Sequence, residues 1–168
     1  MNVKKIYFDM DGVLVDFDRG VIELAKAKPR NQLRSTKEED KILWDAVRKV
    51  DHFYDKLELM DHAKELFDLV YNKYHDKCEI LTGIPKPHKN ILNAAEDKID
   101  WMHRMLSKDI VVNIVYKEQK KDYCTGPLCI LIDDLETNIN EWRKLGGTGI
   151  LHKNAKDTIN ELKKLNIL

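Results

Sequence analysis

Asp9 and Asp11, in the run Phe8-Asp9-Met10-Asp11-Gly12-Val13, set two carboxylates one residue apart beside a glycine. The residues ahead of them, Lys5-Ile6-Tyr7-Phe8, are apolar and aromatic and predict a buried strand. Gly12 permits a turn that other residues would strain to make. In open α/β sheets, ligands bind outside the carboxyl ends of the strands, which is where this pair would stand. Repulsion disfavours ionising both acids unless a cation sits between them. Hard oxygen donors select Mg2+.

Three more features accompany the pair. Thr82-Gly83 follows the apolar run Ile80-Leu81, and Asp133-Asp134 follows Ile130-Leu131-Ile132. A lysine is expected near the start of the helix after Thr82. Lys98 is our choice, with Lys120 and Lys121, ahead of the fourth strand, as rivals. Each feature is weak alone, since adjacent carboxylates occur by chance and strands often end in Thr. Together, in this order, they describe phosphoryl transfer. Asp9, nearest the strand, suits a nucleophile that forms an aspartyl-phosphate and splits one difficult step into two. Asp11 suits the acid that protonates the leaving alkoxide and then deprotonates water. Thr82 Oγ, the Gly83 N–H and the lysine would neutralise the transferring group. Asp133, directly, and Asp134, through water, suit the metal.

The elements that must hold these residues alternate. After the first strand, Phe17, Val21, Leu24 and Ala25 have helical spacing, as do Ile42, Leu43, Ala46, Val47 and Val50 behind a capping box at Ser35 and Thr36. A third helix carries Ala63, Leu66, Phe67, Val70 and Tyr71. About fifty residues of helix thus precede the second strand, too many for one crossover. Residues 17–61 are therefore expected to form a small helical cap, and 1–16 with 62–168 the α/β core. Strands are expected at 78–81, 110–116, 128–132 and 149–152. Helices are expected through Ile91, Ala95, Ile99 and Met102, through Ile139 and Trp142, and over 155–165. This alternation predicts a Rossmann-like parallel sheet with helices on both faces.

Composition narrows the function classes. In 168 residues, 29 Lys plus Arg balance 29 Asp plus Glu, a formal net charge of zero. That leaves no footprint for long nucleic acid, though a nucleotide-sized ligand fits. The three cysteines lie apart or in apolar runs and read as reduced thiols of a cytoplasmic protein. No run reaches membrane-spanning length, and the first apolar stretch carries carboxylates, unlike a signal peptide.

The motifs Asp9-Met10-Asp11-Gly12-Val13, Leu81-Thr82-Gly83, Lys98 and Ile132-Asp133-Asp134 resemble the four motifs of the haloacid dehalogenase-like (HAD) phosphatase superfamily. The resemblance implies metal binding by Asp9, Asp133, Asp134 and the main-chain carbonyl of Asp11. More narrowly, Asp9 to Phe17, the stretch from Phe53 to Met60, Thr82-Gly83-Ile84-Pro85-Lys86 and Glu96-Asp97-Lys98-Ile99-Asp100-Trp101 are similar to segments of the 5'(3')-deoxyribonucleotidases. That implies a nucleoside monophosphate as substrate. Two departures stand out. Asp61-His62 replaces a frequent Pro-Gly, and Leu135 stands where mammalian members carry Arg, which bears on base preference.

Around the centre, Lys86 reads either as a phosphate or sugar contact or as a solvated loop lysine. Phe53 reads as a ring stacked on the substrate or packed within the cap. Trp44, Trp101 and Trp142 read as core. The rival functions are a phosphatase for another metabolite such as a sugar phosphate, a phospho-acceptor signalling module, and a silent binding module. A receiver would carry its acceptor aspartate after a later strand.

Overall fold

A computed structural model describes residues 2–168. Five parallel strands form one sheet in the order β3-β2-β1-β4-β5: β1 Lys5–Phe8, β2 Cys78–Gly83, β3 Val111–Val115, β4 Cys129–Asp133 and β5 Thr148–Leu151. The strands are short β-branched and aliphatic runs, and successive side chains enter opposite layers. Ile6, Phe8, Ile80, Ile130, Ile132 and Ile150 point into one apolar layer with α3 (Ala63–Tyr74), α4 (Ala94–Met105) and α6 (Ala155–Lys164). Tyr7, Leu81, Cys129 and Leu131 point into the other, against Ile139 and Trp142 of α5 (Glu136–Lys144). Parallel strands covered on both faces need this near-continuous apolar character.

The segment between β1 and α3 holds α1 (Phe17–Glu23) and α2 (Lys37–Val47). Asp16 caps α1 by accepting from the Arg19 N–H at 3.0 Å, and Thr36 caps α2 by accepting from the Glu39 N–H at 3.1 Å. Its ends meet. The Asp16 N–H donates to the Glu58 carbonyl and the Met60 N–H to the Leu14 carbonyl, both at 2.9 Å, so the outgoing and returning chain meet in a single antiparallel bridge between Val15 and Leu59. Gly20 lets α1 press on the return, since a Cβ there would lie 2.1 Å from Leu57 Cδ2. The segment has no separate core: Phe17, Val21, Leu43, Val47, Phe53 and Tyr54 continue the apolar layer of Phe8 and Phe67.

Three expectations change in detail. The first helix ends at Glu23, short of the Leu24 and Ala25 included in its predicted period, and Lys26 adopts a left-handed φ of 53°. The helix after β2 begins at Ala94, not near Ile91, because Asn90 and Asn93 are both left-handed. Lys120 and Lys121, ahead of β4, lie in a 3-10 segment, Lys117–Tyr123, outside any predicted helix. All three cysteines are free thiols. Among the described residues, no helix is long and apolar enough to cross a membrane.

Candidate active site

β1 is the strand where the winding of the sheet reverses, with β2 on one side and β4 on the other. Such a switch point opens a crevice at the carboxyl ends of its strands. Asp9 leaves β1 there, and its N–H donates to the Ile132 carbonyl of β4 at 2.9 Å. Asp133 ends β4, so the register of two neighbouring strands sets the two carboxylates side by side. Asp9, Asp133 and Asp134 each offer an oxygen within 4.8 Å of the others. Asp9 and Asp133 are buried.

Two buried lysines divide the carboxylates. Lys120 Nζ lies 2.7 Å from Asp9 Oδ1 and 2.7 Å from Asp133 Oδ2. Burial alone would lower the Lys120 ammonium; the two carboxylates override it and hold it above its usual range. Lys98 Nζ, fully buried, donates to Asp11 Oδ2 at 2.7 Å, Thr82 Oγ1 at 2.9 Å and the Gly83 carbonyl at 2.8 Å. It also stands 4.5 Å over the Tyr54 ring. Asp133 is further held by Asn138 Nδ2 at 2.9 Å and the Leu135 N–H at 2.8 Å.

The acidic centre fits a hard divalent cation. Burial first, and then Asp9, push the Asp134 carboxyl up to about 7, and burial and Asp9 raise Asp133 as well. Asp134 Oδ1 is buried with no hydrogen-bond partner. Gly12, at φ +83°, makes room for the Asp134 carboxylate, since a Cβ there would lie 2.2 Å from its Oδ2. An unsatisfied carboxylate oxygen among acids is the donor set that Mg2+ takes.

A cavity above the centre is lined by Asp9, Asp11 and Lys120, by Phe17, Arg30, Trp44 and Tyr54 of the inserted segment, and by Gly83, Ile84, Pro85 and Leu135. Several sequence-derived candidates stand elsewhere. Phe53 is buried and packs edge-on against Phe17 and Tyr54, at 5.6 and 5.5 Å between centroids. It belongs to the aromatic core beneath the cavity and not to its wall. Trp44, expected as core, is only partly buried and reaches that wall, its indole N–H donating to Asp40 at 3.0 Å. Lys86 is exposed and paired with Glu118 at 2.5 Å, outside the cavity lining. Thr82 and Lys98 reach the centre from behind, through Asp11, whereas Lys120 borders the cavity itself.

A HAD-superfamily hydrolase from Ehrlichia chaffeensis superposes with a TM-score of 0.58 over 98% of each chain at 15% identity. A hydrolase from Pseudomonas syringae gives 0.55 over 96% of this chain and 98% of its own, also at 15% identity. The fold is that of the HAD hydrolases. A HAD family enzyme from Bacteroides thetaiotaomicron, solved as a magnesium complex, matches at 0.50 with 16% identity over 91% of this chain and 94% of that one. No protein-family model and no curated protein matches the sequence.

Within this HAD fold, two site residues escaped sequence reasoning. Asn138 lies five positions after Asp133, in the first turns of α5, and its only signal is an amide on a helix face that must turn inward. Arg30 follows Pro29 in a stretch that reads as a helix break.

Proposed function

We propose that the protein is a Mg2+-dependent phosphomonoesterase that works through an aspartyl-phosphate on Asp9 and acts on nucleoside monophosphates. One observation carries the reading: Asp9, Asp133 and Asp134 offer oxygens within 4.8 Å of one another while Lys120 bridges Asp9 and Asp133 at 2.7 Å. The fold's likeness to a magnesium-bound HAD enzyme supports it.

Bound by Asp9, Asp133, Asp134 and the Asp11 carbonyl, Mg2+ would offset the charge of the phosphoryl oxygens. Asp9 attacks phosphorus, the bond to the ester oxygen breaks, and the phosphoryl group passes to the Asp9 carboxylate. Lys120 takes the phosphate charge, and the Gly83 N–H, at the rim, is a second donor. Lys98 occupies Asp11 Oδ2, which leaves the partnerless Oδ1 to carry a proton. Asp11 gives that proton to the leaving alkoxide, then takes one from the water that attacks the aspartyl-phosphate. Phosphate departs and Asp9 is regenerated. In this reading Lys98 positions the acid and Lys120 meets the phosphate.

Residues 17–61 serve as a small cap that excludes water and selects the leaving group. Trp44, only partly buried on the cavity wall, is an aromatic ring on which a nucleobase of any identity could stack. The test is release of inorganic phosphate from a panel of nucleoside monophosphates and sugar phosphates with and without Mg2+. Metal-dependent turnover abolished by Asp9→Asn is expected, with nucleotides preferred. A flat profile across the panel would remove the nucleotide assignment, and an Asp9→Asn protein as active as wild type would remove the mechanism.

A further inference from the structure

Arg30 is a cation on the cavity wall that no motif accounts for. Its backbone N–H donates to Asp18 Oδ1 at 3.0 Å, and its Nε approaches the same oxygen at 3.5 Å, long for a hydrogen bond. The guanidinium carbon lies 4.5 Å over the Phe17 ring. Main chain and ring therefore fix the side chain while its Nη donors have no acceptor among the described residues. It borders two cavities at once. One also holds Asp9, Asp11 and Lys120, and the other Gly12, Asp134 and His152. Burial would lower this guanidinium, but Asp11, Asp134, Asp18 and Asp9 keep it above its ordinary range. Nε faces Asp18, while Asp9 and Asp11 are already engaged by lysines, so the two Nη groups of this partly buried fork remain as spare donors.

We propose that Arg30 is a substrate-binding residue that grips the phosphoryl oxygens of the bound ester from the inserted segment, while Lys120 approaches them from the sheet. The inference rests on the phosphomonoesterase reading. A planar fork matches two oxygens of one phosphate, which a lysine cannot do. The grip ties the substrate's charge to the segment that forms the wall, so a neutral leaving group alone would be held poorly.

The test uses the full chain with Mg2+ and inorganic phosphate as the probe, by titration calorimetry, beside KM and kcat for the best ester. Arg30→Gln should weaken phosphate binding at least about tenfold and raise KM by a similar factor, with a smaller effect on kcat. Arg30→Lys should recover only part. Arg34→Gln, an exposed arginine nearby, should leave both constants at wild-type values. If Arg30→Gln does not fold, Arg30→Lys and Asp18→Asn, which frees the side chain, supply the comparison. Wild-type phosphate affinity in a folded Arg30→Gln protein, full recovery by Arg30→Lys, or no phosphate binding by the wild type would each overturn the proposal. Phosphate bound through Arg30 by a wild type that hydrolyses no ester would retain the anion contact and sink only the enzymatic reading.

Discussion

Asp133 accepts from an ammonium, an amide and a backbone N–H at once, and each donor has a separate measurable share. Asn138→Ala leaves Asp133 Oδ2 with Lys120 alone. We expect a loss of about 1.5–3 kcal/mol in urea unfolding, the worth of one hydrogen bond to a charged group, since Lys120 still meets that oxygen. Lys120→Met removes the cation between two buried carboxylates. Without metal it should cost about 3–5 kcal/mol, and added Mg2+ should return part of that. If Mg2+ changes the unfolding midpoint of wild type and variant alike, the metal does not share that site. Gly12→Ala forces a Cβ onto the Asp134 carboxylate, so Mg2+ should raise its melting temperature less than it raises the wild type's. The acids were legible in the sequence because each pair is local in the chain and ends a recognisable strand. That Lys120 bridges Asp9 and Asp133 is less legible. Lys120 is delivered by a 3-10 segment, and such segments lack the 3.6-residue period that tells which side chain faces inward.

At the scale of elements, the inserted segment is strapped to the loop after β2. Asp40 of α2 accepts from the Trp44 indole and pairs with Lys89 of that loop. Lys86 of the same loop pairs with Glu118, at the start of the Lys120 segment. Asp40→Ala should cost little stability, about 0–1 kcal/mol, because the ion pair is partly exposed. It should still raise KM several-fold for an ester with an aromatic leaving group, as Trp44 loses its anchor, with kcat little changed. Steady-state kinetics read this directly, and an unchanged KM would clear Trp44 of any substrate role. The strands and their parallel order followed from apolar runs separated by helical periods. Which aromatic meets the cavity did not. Phe53 and Trp44 both sit among apolar neighbours, and only the packing of Phe17 and Tyr54 decides which ring is covered. The late start of α4 was equally hidden, since asparagine tolerates left-handed backbone without announcing it.

For the whole molecule, acid stability should carry the mark of His152. This residue follows β5, donates its N–H to the Asp133 carbonyl at 2.9 Å, and meets Thr158 Oγ1 through Nδ1 at 2.8 Å. Burial lowers its imidazolium to about 4. The unfolded chain protonates it near 6.5, so between those values the unfolded state binds more protons. Stability from this group is therefore flat above about pH 6.5 and falls as pH drops towards 4, by about 3 kcal/mol at most. Asp133 and Asp134, raised in the fold, act in the opposite sense, so the quantity to measure is the difference between wild type and His152→Gln across pH 4–7. A pH-independent difference would mean that His152 is not buried in its neutral form.

The hydrogen bond from Met60 to Leu14 has an architectural consequence. Exit and re-entry of the excursion lie side by side, so its content can lengthen, shorten or be traded for another without shifting the spacing between any two acids. In the proposed reading, reactivity and ligand choice are thereby written in different stretches of one polypeptide, and the second can be revised while the first stays as it is.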